Sequence, residues 1–517
     1  MIKKFVKNLV YKFFLPFAKE TTIHGVPLIV APKIHPLERI FWVIVILSAG
    51  GGAIALIMSN WNRYNANPTV VSIQKDFRNW NNILPSATGC FVYKTDPELV
   101  AQYINETWNI DSSHPKYEYY ANFTKVVANV SYYTLQAFSP YERDPELNKI
   151  DLLKLAAKVH PKLTGTLVTF DTKRKSYWKL IMSELGICFA VNNKFSDILT
   201  FKVKGVDVTK PNVDETLLKC HYLNGLCYAR YDSDPQAPIN FYVHSYLDVV
   251  HATVDSPLYL GESEELEINY LMQETSSADS LRQLSPAQRK CRFDDEPLTD
   301  DVPVYSATIC YIACRYRLAM QLCGCRPFFY HFMAGKVCNI SGLLCLAKHE
   351  ETITKPPSQI GCQCPQPCNI VTYLPLVPKI TLWKSGYFDQ RITFRWGILH
   401  PTTKYRRDII FGFQDLVVSI GGTLALFLGI SFISLIEIIF FAFEWFMSFC
   451  RKDDSDTAKK VKNVKEKKIK NLKKGKLIKK SNQQQITHYI RVFEEYNWKQ
   501  EEIEVMLQAN SRHYKKL

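Results

Sequence analysis

The run from Leu416 to Cys450, LVVSIGGTLALFLGISFISLIEIIFFAFEWFMSFC, constrains this chain more than any other stretch. A bilayer core about 30 Å thick is crossed by about 20 helical residues. This run holds 35, nearly all apolar. It is punctuated by Gly421-Gly422, by Gly429-Ile430-Ser431 and by Glu437. A second acid, Glu444, lies nearer the basic end and suits the interface. Small residues at membrane depth allow backbones to approach closely, or allow a helix to break where it lines a cavity. A carboxylate there faces an ion path or a partner. On this stretch alone, a plain anchor helix with small packing residues explains the glycines as well.

The net charge of +15 invites a nucleic-acid reading, but its location argues otherwise. Residues 1–39 are net +5 and residues 451–517 net +10, so everything between is net zero. Basic excess confined to flanks of apolar runs is the pattern of cytoplasmic membrane-proximal tails. A nucleic-acid face would lie within the folded part, so no nucleic-acid partner is expected. A second apolar run, Ile40–Met58, has the length of one crossing. It is preceded by 39 residues with scattered Lys and Arg, which suits a retained helix better than a cleaved signal peptide.

Of fifteen cysteines, fourteen lie between Cys90 and Cys368; the other is Cys450. An even number in one segment predicts disulfides in an oxidising compartment. The sequons at Asn105, Asn122, Asn129 and Asn339 fall in the same segment and in neither tail. Charge, cysteines and sequons thus predict one topology. Residues 1–39 form an inside tail, 40–60 a span, 61–410 a cysteine-rich extracellular domain, 411–450 a span and 451–517 an inside tail. The expected location is the plasma membrane, with lipid as a partner and both termini cytoplasmic.

Along the chain, Lys3, Lys4, Lys7 and Lys12 read as a juxtamembrane amphipathic helix or a simple basic anchor. His24-Gly25 before Pro27 is a turn signal. Thr69–Ile73 reads as a strand leaving the membrane, and residues 95–160 as a helical subdomain. Strands are expected at Leu163–Phe170, Leu199–Val203, Phe241–Val243 and His251–Val254. The acids Glu262, Glu264, Glu265 and Glu267, then Asp294, Asp295, Glu296, Asp300 and Asp301, read as a solvated surface, with a cation or proton site as the alternative. Thr381–Trp396 reads as a strand returning to the membrane. The basic run Arg451–Lys480 is solvated or lipid-facing, and Ile486–Leu507 a short amphipathic helix.

Cys310 and Cys314 would share one face of a helix in TICYIACRYRLAMQLC, and Cys362 and Cys364 one face of an extended segment. A helix could thus be stapled to a strand by parallel rungs. The C-x-C and C-x3-C spacings also admit zinc, but an extracellular setting favours disulfides, and no metal or cofactor is expected. No Ser-His-Asp, HExxH, P-loop or G-x-G-x-x-G constellation stands out, so no enzyme is expected.

Together these features resemble the degenerin/epithelial sodium channel family, also called amiloride-sensitive sodium channels, and most closely its insect pickpocket branch. The resemblance covers His24 to about Met447. It rests on the cysteine spacing and on GGTLALFLGISFISLIE (Gly421–Glu437), similar to the family string G-G-x-x-G-L-F-x-G-x-S-x-x-S-x-x-E. It implies an α+β membrane protein with two transmembrane helices and a disulfide-rich ectodomain of palm, β-ball, finger, thumb and knuckle, assembled as a homo- or heterotrimer. It also implies passive sodium flow, with sodium ions, sibling subunits and amiloride as partners. By resemblance, Gly429-Ile430-Ser431 is the selectivity filter and His24-Gly25 the gating motif. Val418, Gly421, Gly422, Ala425 and Glu437 belong to the pore. The implied bridges are Cys90–Cys188, Cys220–Cys227, Cys291–Cys368, Cys310–Cys364, Cys314–Cys362, Cys323–Cys345 and Cys325–Cys338.

The sequence departs from the family pattern at three points. The C-x6-C pair 220–227 follows Cys188, whereas the acid-sensing members have such a pair earlier. Val418 stands where degenerins have a small residue; a bulkier one there is associated with channels that stay open. Ala425 stands at the amiloride-contact position, often Gly. The rival readings are a non-conducting accessory subunit or two-span receptor, an ATP-gated two-span trimer, and an adhesion ectodomain. The N-terminal tail lacks a Tyr-x-Thr-x-Lys pattern and the C-terminal tail a Pro-Pro-x-Tyr motif.

Overall fold

The structure, a computed structural model, describes residues 14–32, 34–171, 176–201, 217–234, 237–253, 256–298, 302–444 and 447. The expected basic tail helix with Lys3 to Lys12, the run Arg451–Lys480, the helix Ile486–Leu507, Cys450, Asp300 and Asp301 lie outside the described residues. The chain divides into two compact units, Ile57–Ser419 and the segments on either side of it.

The larger unit is a mixed α+β body. Fifteen strands are described in it: β1 Thr69–Gln74, β2 Asn81–Ile83, β3 Ser86–Phe91, β4 Gly165–Thr169, β5 Lys179–Ser183, β6 Gly186–Val191, β7 Lys219–His221, β8 Cys227–Ser233, β9 Ile239–His244, β10 Leu258–Leu260, β11 Glu264–Ser277, β12 Ile370–Pro375, β13 Lys379–Leu382, β14 Thr393–Leu399 and β15 Lys404–Ile409. The main sheet runs β1-β15-β11-β14-β8-β4, with β12 and β13 also on β11. A second sheet runs β10-β9-β3-β6-β5.

The long strand β11 organises the main sheet. Leu266, Ile268, Tyr270 and Met272 are buried at every second position, as a strand with one covered face requires. It pairs in parallel with β14 and β15 and antiparallel with β12 and β13. Between the sheets lies an aromatic core in which Phe394 stacks on Phe241 and on Trp396, with centroids 4.3 and 5.0 Å apart.

The helical subdomain of residues 95–160 follows from local signals. Asp96 caps Pro97–Trp108 by accepting from the N–H groups of Glu98 and Leu99, and Asn109 ends it in the left-handed region. Asp151 caps Leu152–Val159, which buries Leu152, Leu155, Ala156 and Val159 on one face. These helices and Tyr117–Ala128 pack around Phe123 and Phe138, both fully buried.

Some expectations are corrected. Leu199 closes the helical turn Ser196–Leu199 rather than opening a strand. His251 to Thr253 is a turn, not a strand. The stretch Thr381–Trp396 splits into the end of β13, a loop and the start of β14, because Gly386 and Gln390 adopt positive φ between them. The segment holding Cys362 and Cys364 is irregular, so the rungs from Ala307–Cys323 reach a loop and not a strand.

Two of the acids of 262–267, Glu265 and Glu267, are paired with arginines within the sheet. Arg395 on β14 pairs with Glu267, and Arg230 on β8 pairs with Glu265 and Asp232. Glu264 accepts from the Gly261 N–H at 2.6 Å. Cross-strand pairing of opposite charges relieves the carboxylate crowding at Glu265 and Glu267.

Candidate functional site

Among the described residues, one helix, Pro36–Ala66, is long and apolar enough to cross a membrane. At about 1.5 Å per residue its 31 residues exceed one bilayer core. Phe413–Leu428 and Phe432–Glu444 form a second apolar pair, bent by 78° at their break.

The break is written locally. Gly429 has φ +65° and its N–H donates to the Ala425 carbonyl at 2.9 Å, which is how a left-handed glycine ends a helix. The Ile430 N–H turns back to the Leu424 carbonyl at 3.3 Å. Two residues after the glycine, Ser431 Oγ accepts from the Ser434 N–H at 3.3 Å, so a new helix starts. A stop glycine and a start serine separated by one residue thus make the kink.

The segment Thr21–Gly25 lies against this break. The His24 N–H donates to the Leu428 carbonyl at 3.0 Å. Gly25 has φ +80° and precedes the short helix Val26–Val30. A side chain at Gly25 would stand 3.1 Å from Ile46 Cδ1 as well as being strained in φ. Further along the first long helix, Gly52 admits the Phe427 ring, whose Cε1 is 2.8 Å from where a Cβ would stand.

A directed hydrogen-bond chain connects Ser431 to Glu437. Glu437 Oε2 accepts from the Thr22 N–H at 3.3 Å and from Thr22 Oγ1 at 3.1 Å. Thr22 Oγ1 has therefore spent its one proton, so Ser434 Oγ, 2.7 Å away, donates to it. Ser431 Oγ, 3.2 Å from Ser434 Oγ, then donates to that oxygen. Ser434 is fully buried at the centre of this chain.

Of the residues singled out in the sequence, His24, Gly25, Gly429, Ile430, Ser431 and Glu437 gather here. Ala425 contributes its carbonyl. Among the described residues, a Cβ added at Gly421 or Gly422 would have nothing within 4 Å of it, so close packing against those residues requires neither glycine. Val418 is 73% exposed on Phe413–Leu428. Thr22 and Ser434 were not anticipated; the spacing of Ser431, Ser434 and Glu437 at successive threes was the available signal.

In the larger unit the fourteen cysteines are joined as Cys90–Cys188, Cys220–Cys227, Cys291–Cys368, Cys310–Cys364, Cys314–Cys362, Cys323–Cys345 and Cys325–Cys338. Three of these bridges start on Ala307–Cys323, at Cys310, Cys314 and Cys323. Asn105, Asn122, Asn129 and Asn339 are all exposed. Asn339 also caps Ile340–Lys348 by accepting from the Gly342 N–H at 2.9 Å.

A family model described as "Amiloride-sensitive sodium channel" matches residues 17–441. The sodium channel protein Nach of Drosophila melanogaster is 23% identical over 272 residues, 48% of this chain and 50% of its own length. Pickpocket protein 19 of the same species is 26% identical over 211 residues, 35% of this chain and 39% of its own length. Acid-sensing ion channel 4-B of Danio rerio is 23% identical over 172 residues, 30% of each chain. The chain spans about half the length of the curated relatives it matches first. A family match across most of the chain, over a broken apolar helix pair and a disulfide-rich α+β body, settles the assignment: the chain belongs to the amiloride-sensitive sodium channel family, a family of ion channels rather than enzymes.

Proposed function

We propose that this chain is a subunit of a sodium-selective channel in the plasma membrane, with both termini cytoplasmic. Three subunits, alike or of sibling chains, surround one pore. The broken pair Phe413–Leu428 and Phe432–Glu444 is the second span and lines that pore. The observation that carries the reading is the break itself, where an apolar helix stops at Gly429 and restarts at Ser431. A break frees backbone carbonyls from helix bonding. A ring of such oxygens, repeated about a threefold axis, can replace part of a cation's hydration shell. Sodium passes down its gradient with no chemical step.

In this reading Gly429, Ile430 and Ser431 form the filter, and Ser431 is held in place through Ser434. Glu437 acts first as the acceptor that ties the Thr22 segment to the filter. Its charge then adds to the cation-attracting field. His24-Gly25 is the gate-coupled element, since it rests on the filter's glycine. Val418 favours tonic opening, and Val418→Gly lowers resting current; an unchanged resting current removes that role. Amiloride binding near Ala425 belongs to the same proposal.

The test is the reversal potential in sodium and in potassium for the wild type, Ser431→Ala and Gly429→Ala. A shifted sodium preference in conducting variants supports the assignment. Conducting variants with unchanged selectivity overturn it.

A further inference from the structure

The seven bridges are not equally open to chemistry. In five of them at least one cysteine is buried. Cys314–Cys362 and Cys323–Cys345 have both cysteines partly exposed. Of these two, Cys323–Cys345 carries an imidazole: a ring nitrogen of His349 and the two sulfurs all lie within 4.8 Å of one another. Among the described residues no other bridge has a histidine so placed.

The placement is built by local structure. His349 follows Cys345 by four residues, so the turn that ends Ile340–Lys348 sets them on one face. The His349 N–H donates to the Leu346 carbonyl at 3.0 Å, and the His349 carbonyl accepts from the Ile353 N–H at 3.0 Å. The backbone that carries the ring is thus bonded on both sides. Opposite it, Cys323 is the last residue of Ala307–Cys323, which Gly324 closes in the left-handed region.

The two sulfurs therefore differ as leaving groups. A thiolate on Cys323 would face the negative end of its own helix. A thiolate on Cys345 would form beside the imidazole, which stabilises it or gives it a proton.

We propose that Cys323–Cys345 is a site of covalent modification by small thiols of the glutathione class, with Cys323 taking the thiol and Cys345 leaving toward His349. The incoming thiolate bonds to Cys323 Sγ, the bond between the two cysteines breaks, and its electron pair goes to Cys345 Sγ. Cys345 takes up one proton, which balances the one the incoming thiol gave up. One disulfide and one thiol become one mixed disulfide and one thiol, so no oxidant or reductant is consumed.

The fold does not depend on this bridge alone. Ile340, Leu343 and Leu346 are 0% exposed and hold their helix in the core. Cys325–Cys338 still ties the start of that helix. Modification thus removes one of the three bridges that start on Ala307–Cys323 and leaves the body folded.

The inference stands apart from conduction, and so does its test. Full-length protein in lipid discs is held with reduced glutathione near neutral pH, blocked with N-ethylmaleimide at intervals and mapped by peptide mass spectrometry. Glutathione should appear on Cys323 and maleimide on Cys345 before any label at another bridge, Cys314–Cys362 included. In His349→Gln this opening should slow by at least about threefold, the effect of about one unit in the leaving thiol's pKa at a Brønsted slope of about 0.5. Opening of Cys314–Cys362 should keep its wild-type rate in that variant. No adduct at Cys323, or earlier opening of Cys314–Cys362, overturns the proposal with no variant needed. Glutathione on Cys345 in place of Cys323 also overturns it. So does a rate in His349→Gln that is unchanged, or that falls equally at both bridges.

Discussion

His24 Nδ1 lies 2.5 Å from the point where a Cβ on Gly429 would stand. Gly429 is therefore constrained twice, by its φ of +65° and by the imidazole resting on it. Gly429→Ala should strain the backbone by about 1 kcal/mol and also displace His24. In the His24→Ala background only the backbone strain remains. Peak current in a double-mutant cycle should show the effect of Gly429→Ala reduced there. Additive effects would mean that the two residues do not communicate.

Thr22 is the only hydroxyl that touches both Ser434 and Glu437 among the described residues. Thr22→Val keeps the shape and removes the hydroxyl bonds, whereas Thr22→Ser keeps the bonds. Whole-cell current should change with valine and stay near wild type with serine. Equal behaviour of the two variants would reduce Thr22 to a packing role.

Gly52 faces the Phe427 ring with no room for a methyl group. Gly52→Ala should lower stability in detergent by about 1–3 kcal/mol, as overpacking does. Phe427→Leu should recover part of the loss by removing the ring edge. Thermal unfolding of the three proteins checks this; no recovery in the double variant would place the strain elsewhere.

His160 is 6% exposed between Phe91 and Phe189. Burial pushes its pKa down to about 4. The unfolded chain therefore binds this proton from about pH 6.5 and the folded chain only near 4. Its contribution is complete above 6.5 and is lost as pH falls toward 4. The loss is about 3 kcal/mol over that window. His160→Phe keeps a ring in the slot and should flatten that part of the stability profile in chemical unfolding. An unchanged slope between pH 6.5 and 4 would assign the acid loss to other groups.

Local chemistry made much of the fold legible. Asp96 and Asp151 announce their helices because a capping carboxylate acts on the next turn alone. The helix Ala307–Cys323 is legible from its periodicity and from the glycine that follows it. The expected strands at Leu199–Val203 and His251–Val254 fail over their described residues, 199–201 and 251–253, for the opposite reason; 202, 203 and 254 lie outside the described residues. A short apolar run carries no information about which backbone will come to pair with it. His251 instead has its backbone turned, and its ring is reached by Thr253 within a network fixed by Arg315, 64 residues away in the chain.

The sequence by itself left the second apolar run able to break at Gly429 and restart at Ser431, through bonds spanning only a few residues, but a plain anchor helix explained its glycines as well. It also determined which residues could be polar there. The tertiary structure alone decided what those polar groups touch. Glu437 and Thr22 are separated by 415 positions, and their hydrogen bond exists only because the chain folds back on itself. Capping is a local property of the backbone, whereas the satisfaction of a partly buried carboxylate depends on whatever donor the fold delivers to it.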